Sequence, residues 1–328
     1  MLTRFLSRFI AIAAVTVLLT TACGVATPTP TALKIAMVLP GPINDQDWNS
    51  VGYNGLQLAG KNLGVEVAYT ENVADADAER VIRDYASRGY GLIFAHSFSF
   101  GDAALAVAKD FPKTIFMAGT AQKLADNLGT YDNPDYQGAY LVGMLAAGIS
   151  KKGTIGWVSG LPVPNLLANL HGFTAGAMEV NTNVKVLHSF IGSFYDPPKA
   201  KEAALAQVEQ GADVLSAQGV GVIDAAVDKS VWVLGAMTDQ NHLGPAVVLT
   251  SVTWDLAPLI TAVGKDVVAG KWTSKNWSFG IVEGSISLAP FHDLDKSISP
   301  DVIKRVQDKF QAIKSGQFVV PHDTSEVK

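Results

Sequence analysis

Two hydrophobic periods alternate along the chain. Short runs rich in β-branched and aromatic residues lie at 33–39, 65–70, 91–95, 113–118, 153–158, 184–191, 212–216, 231–236 and 246–252. Most are followed by segments whose apolar positions recur at helical spacing. Residues 48–63 put Trp48, Gly52, Gly55, Leu56, Ala59 and Leu63 on one stripe closed by Gly64, and 74–89 carry Ala78, Val81, Ile82 and Tyr85 on a face closed by Gly89. The segment 196–211 opens with Asp196 as a cap, has prolines in its first turn and stops at Gly211. Strands without clean alternation, each leading into a helix, predict parallel sheets covered on both faces. About ten strands exceed an ordinary open sheet, so the expected fold is α/β with two lobes.

In such sheets ligands sit beyond the C-terminal strand ends, where the loops enter the helices. These loops are rich in aromatic residues, among them Trp48, Phe98, Phe100, Phe194, Tyr195 and Trp254. Facing aromatics would sandwich a flat ligand whose edge is read by polar groups. The stretch GPINDQDWN at 41–49 concentrates such groups: Asn44, Asp45, Asp47 and Asn49 surround Trp48. Asp47 also suits the N-cap of the following helix, with Asn44 and Asp45 as turn residues. His96, Ser97 and Phe98 follow the third predicted strand, and His96 alone among the histidines falls where a cleft would lie. Gly219 and Gly221 imitate half of a dinucleotide fingerprint, and a tight strand-to-helix turn explains them equally.

The first 22 residues read as a leader to be removed: Arg4 and Arg8, an apolar stretch too short for a comfortable membrane span, then small residues before Cys23. The sequence LLTTAC resembles a bacterial lipobox, which would make Cys23, the chain's one cysteine, a lipidated N-terminus. Residues 24–32 then form a Pro/Thr spacer between membrane and folded body. Loss of the leader takes the formal charge from −5 to −7, with no basic stripe, so nucleic acid is not an expected partner. The sequence holds no G-x-S-x-G elbow, H-E-x-x-H, C-x-x-C or phosphate loop, and neither cofactor nor metal is expected.

Three longer segments carry a family likeness. NDQDWNSVGYNGLQ (44–57), DYQGAYLVGMLAAGISKKGTIGWVSGLPVP (135–164) and GSFYDPPKAKEAALAQVEQGADVL (192–215) resemble, in order, the signatures of the basic membrane protein family of substrate-binding lipoproteins, a likeness spanning about 33–290. The resemblance implies a type I periplasmic-binding fold: two doubly wound parallel-sheet lobes, joined by three crossovers and closing on a ligand. It places lobe 1 at 33–119 plus 253–283 and lobe 2 at 120–252 plus 284–328. It also implies a monomer that serves an ABC permease from the extracytoplasmic face of the membrane and carries purine nucleosides or related purines.

By the same likeness Trp48 stands where the family stacks a Phe on the base, with Asp45 and Asn49 beside it. Phe194 is the aromatic of the opposing lobe, His96, Ser97 and Phe98 approach the ligand edge, and Asn44 and Gly219 are further candidate contacts. Two positions depart from the nucleoside binders. Met237 replaces a ribose-binding Asp, leaving Asp239 further on, and Trp254 takes the place of a ribose-side Lys. The loss of both partners favours a bare purine base, with a nucleoside as the alternative. A sensor lipoprotein feeding a membrane receptor would look the same. A nucleoside hydrolase would need a carboxylate-rich site that Met237 and Trp254 oppose.

Overall fold

The computed structural model describes residues 32–327. In chain order the first half contains β1 (Lys34–Val38), α1 (Trp48–Leu63), β2 (Glu66–Thr70), α2 (Ala78–Ser87), β3 (Leu92–Ala95), α3 (Gly101–Asp110), β4 (Ile115–Gly119), β5 (Leu128–Asp132) and α4 (Tyr136–Ile149). There follow β6 (Thr154–Ser159), α5 (Pro164–Val180), β7 (Lys185–Phe190), α6 (Pro197–Glu209), β8 (Val214–Gln218), α7 (Val222–Lys229) and β9 (Trp232–Gly235). The last stretch holds β10 (Val248–Trp254), α8 (Ala257–Val268), β11 (Asn276–Ser278), β12 (Ile286–Leu288) and α9 (Pro300–Lys314).

The strands form two sheets, ordered β11-β5-β4-β3-β1-β2 and β12-β10-β9-β8-β6-β7. All pairings in the first are parallel, and in the second only β12 runs antiparallel, against β10. Each sheet reverses strand order beside its first strand, so ligand-binding loops of both lobes converge there. The result is a pair of largely parallel-sheet α/β lobes.

The lobes divide differently from the sequence expectation at one point. β5 pairs with β4 and β11 in the first sheet, so the first lobe runs through Asp132, not to 119, and the first crossover falls before α4. The sequence LGTYD carries one β-branched residue and a glycine, so it lacks the strand pattern. Pairing on both sides stabilises it instead. The chain returns from β10 to α8, which packs on α1, and crosses again from β11 to β12. Three crossovers join the lobes.

Local chemistry explains the element ends. Gly64 closes α1 in the left-handed region (φ 66°), its N–H reaching the carbonyls of Gly60 and Lys61. The Asp196 carboxylate accepts from the Lys199 N–H at 3.2 Å to start α6. β11 and β12, of three residues each, are too short to show a period.

Helices α4 and α5 cross closely in the second lobe. A Cβ on Gly176 would fall inside the Tyr140 carbonyl, and one on Gly143 inside that of Phe173. Alanine at 176 would gain roughly 0.5–1 kcal/mol of helix propensity. Against that, it must push a buried backbone carbonyl aside, at a cost of about 1–3 kcal/mol or more. Overpacking wins, so Gly176→Ala is expected to lower the melting temperature by several degrees. A thermal melt of the two proteins checks this.

Candidate functional site

A cavity of about 330 Å³ lies between the lobes. Its first wall is the N-terminus of α1 with the loops after β3 and β4; its second is the start of α5 with the ends of β6, β7, β8 and β9. The α1 entrance is held by Asp45. Its carboxylate accepts from the backbone N–H groups of Asp47 (2.9 Å), Asn49 (3.0 Å) and Ser50 (2.9 Å), and from Asn49 Nδ2 (2.7 Å). Asn49 Oδ1 in turn accepts from the Gly41 N–H at 3.0 Å. Asp45 therefore does the capping expected of Asp47, because the turn brings its carboxylate beneath several free N–H groups.

Asp47, released from capping, has no side-chain cap bond and lines the cavity. Burial first, then the charge of Asp45, push its carboxyl up to about 7 against a pull from the Trp48 N–H, with a lesser push from Asp135. Asp135 at the start of α4 is also raised to about 7, by burial alone. Its Oδ2 accepts from Asn169 Nδ2 at 3.4 Å, and its Oδ1 has no partner.

Trp48 is fixed from behind. Its Nε1–H donates to the His96 carbonyl at 2.8 Å, and its indole stacks on the His96 ring with centroids 4.4 Å apart and planes 18° from parallel. His96 Nε2 lies 2.9 Å from the Trp48 carbonyl, which can only accept, so the proton sits on Nε2. Nδ1 then accepts from the Tyr131 hydroxyl at 2.5 Å. Burial lowers the His96 pKa to about 4, so the ring is neutral near pH 7. Trp254 lies 5.2 Å from Trp48 and 6.2 Å from His96 between centroids, an angle of about 80° at Trp48. It packs beside both rings, and Trp48 itself lines the cavity.

The second wall brings Phe194 and Tyr195, half exposed at the end of β7, opposite this aromatic stack. Met237 joins them in a left-handed backbone conformation (φ 67°). The lobes are tied across the cleft rim: the Gln46 carbonyl accepts from Thr238 Oγ1 at 2.6 Å and from Gln240 Nε2 at 3.0 Å. The lining includes Asp45, Asp47 and Asp75 and no Lys, Arg or His. Such a wall repels phosphates and suits a neutral or cationic ligand rich in N–H groups. Among the described residues no group of three or more His, Cys, Asp or Glu could hold a metal ion.

The family model for PnrA-like ABC transporter substrate-binding proteins matches residues 32–324. The chain belongs to this Bmp family. A purine-binding protein of Brucella abortus is 34% identical over 292 residues, covering 87% of this chain and 82% of that protein. The nucleoside-binding protein BmpA of Lactococcus lactis is 33% identical over 242 residues, covering 68% and 69%. A solved structure of an Aeropyrum pernix ABC transporter solute-binding protein superposes with a TM-score of 0.77 at 23% identity, covering 89% and 94%. The Bmp-family chain is thus a substrate-binding protein of an ABC transporter, built to take up a small ligand and work with a permease, and not an enzyme.

Of the residues singled out from sequence, Asp45, Trp48, Asn49, Ser97, Phe98, Phe194 and Met237 line the cavity together. The others sit elsewhere. Asn44 is exposed, outside the wall. His96 is fully buried behind Trp48, and Trp254 lies beside the stack with 5% exposure. The Asp239 carboxylate faces His292 Nε2 at 2.8 Å and caps the Asn241 N–H. Gly219 stands past the strand end and off the wall. Cys23 and the leader lie outside the described residues. Sequence reasoning passed over Gln218 and Asn165, which also line the cavity. For Gln218 the signal was there: a polar side chain closing an otherwise buried strand.

Asp135 is 1% exposed, so its ionisation is paid from fold stability. With a folded value of about 7 against 3.8, its neutral-form stabilisation is complete at low pH and is lost as pH rises through 7, by up to about 4 kcal/mol. Asp135→Asn is expected to be more stable than the ligand-free wild type near pH 8, the gap narrowing toward pH 4. Melting temperatures across that range would show this.

Proposed function

We propose that this Bmp-family protein binds a free purine base, or a similarly flat heteroaromatic, between its closing lobes. The observation that carries the reading is the Trp48 indole on the cavity wall, held rigid by the His96 carbonyl and ring while Phe194 and Tyr195 stand on the opposing lobe. A planar π-system entering there stacks without first ordering the indole, so little of the binding energy goes to immobilising it. Asp47 supplies an acceptor for a ring N–H. The imidazole N–H of a free base fits that acceptor, and a nucleoside, whose ring nitrogen carries the sugar, has no such proton to offer. Met237 on the wall and the absence of any Lys or Arg from it fit the same ligand. The relatives named for purine and nucleoside binding support the ligand class.

On this reading the ligand is captured for import, and the protein is a lipid-anchored monomer on the extracytoplasmic face, tethered through Cys23 and the 24–32 spacer. Closure signals occupancy to the permease, because a ligand shifts the open–closed balance only by contacts it makes preferentially in the closed form.

Calorimetry on the refolded, ligand-stripped protein tests the ligand. Bases are expected to bind, with nucleosides weaker by roughly tenfold or more and nucleotides not at all. Nucleosides binding as well as bases would overturn the base assignment. Trp48→Ala should weaken the best ligand by roughly tenfold or more, and a change within about twofold would remove Trp48 from the site. For the anchor, wild type expressed in a bacterial host should fractionate with membranes and incorporate labelled fatty acid, while Cys23→Ser is released. Equal membrane association of both proteins would refute lipidation.

A further inference from the structure

The second lobe holds polar groups that the fold leaves without partners. Gln218 closes β8, and its register partner Ser159 closes β6, so the two side chains stand together on the sheet's cleft end. Both atoms of the Gln218 carboxamide and the Ser159 hydroxyl are shielded from solvent, and none has a hydrogen-bond partner. Gln218 lines the cavity, as does Gly160, the residue after Ser159. Other buried amides of the molecule at least use their donor, even where, as in Gln207, Asn133 and Asn169, the amide oxygen has no partner. Asn127 Nδ2 donates to the carbonyls of Ala108, Phe111 and Thr114, and Gln207 Nε2 donates to the Trp157 carbonyl and the Ser189 hydroxyl. A carboxamide of a cavity-lining residue with neither its donor nor its acceptor used can turn toward a ligand without breaking any hydrogen bond.

We infer that Gln218 is a specificity-determining residue of the second lobe, pairing with a ligand edge that presents one hydrogen-bond donor beside one acceptor. This rests on the purine reading of the cleft. A carboxamide offers N–H and C=O side by side, and its complement is another amide or an amidine. A 6-aminopurine presents that pair at its amino group and the adjacent ring nitrogen, the edge on which Gln makes a bidentate contact in nucleic-acid recognition. A 6-oxopurine presents it at its ring N–H and carbonyl. A purine with a methyl group in the same place has the same shape and stacking face but only acceptors along that edge, and it leaves the Gln218 carbonyl unpaired. The first lobe thus grips the ring by stacking, and the second lobe reads the six-substituent, so only a ligand satisfying both draws the lobes together.

The test compares adenine with 6-methylpurine by calorimetry on the full-length, ligand-stripped protein, for wild type and for Gln218→Met, whose unbranched side chain keeps the volume. Wild type is expected to favour adenine by roughly tenfold or more. In Gln218→Met adenine should weaken by a similar factor while 6-methylpurine changes within about twofold, bringing the ratio near one. A wild-type ratio within about threefold, or a ratio unchanged by the substitution, overturns the assignment while leaving the purine reading intact. If no purine binds wild type, the purine reading falls and this inference falls with it. A wild-type ratio within about threefold overturns the assignment however the variant folds, and a purely structural role for Gln218 would leave the ratio the same in both proteins.

Discussion

The Asp45 carboxylate organises the cleft. By taking three backbone N–H groups and one side-chain amide, it closes the start of α1 and holds Asn49 against the Gly41 loop. A carboxylate bonded to several N–H groups at a helix N-terminus is among the stronger polar arrangements a fold offers. Its consequences spread outward. Asp47 is freed to face the cavity, Trp48 emerges at the first helical position aimed at the opposing lobe, and the Gln46 carbonyl is turned toward Thr238 and Gln240.

Behind that turn, Trp48, His96 and Tyr131 form a directional chain in which every polar group is used. The chain spans α1, the end of β3, and β5, so the position of the indole depends on the first sheet and not on its own helix alone. Neutral His96 suits this role. A charged imidazolium there would need desolvating beside an indole, and its second proton would force the Tyr131 hydroxyl to turn from donor to acceptor.

Charge on the cleft is arranged by distance from solvent. Exposed ion pairs such as Arg80–Asp77 and Lys304–Asp308 lie on helix surfaces, where they contribute little. The carboxyls near the cleft have no cationic partner, and burial raises those of Asp47 and Asp135 instead. The wall is therefore an acceptor surface, and among its carboxyls burial raises that of Asp47.

The sequence by itself determined the lobed α/β architecture. Nine of the strands and the start and stop of α1, α2 and α6 are local matters, written in hydrophobic period, prolines and glycines. Family membership was legible too, because three long segments carry it in order. What tertiary structure decided was everything that depends on a partner distant in sequence. β5 joins the first lobe because strands on both sides complete its ladder. Asp45 outcompetes Asp47 for the cap because the turn geometry chooses between adjacent carboxylates. His96 and Trp254 fall behind and beside Trp48, not in front of it, since a one-dimensional pattern places an aromatic at a strand end without fixing which face it shows. Gln218 becomes notable only once the sheet is assembled. Whether a buried amide is satisfied is a property of its neighbours, and those neighbours are brought together by the fold.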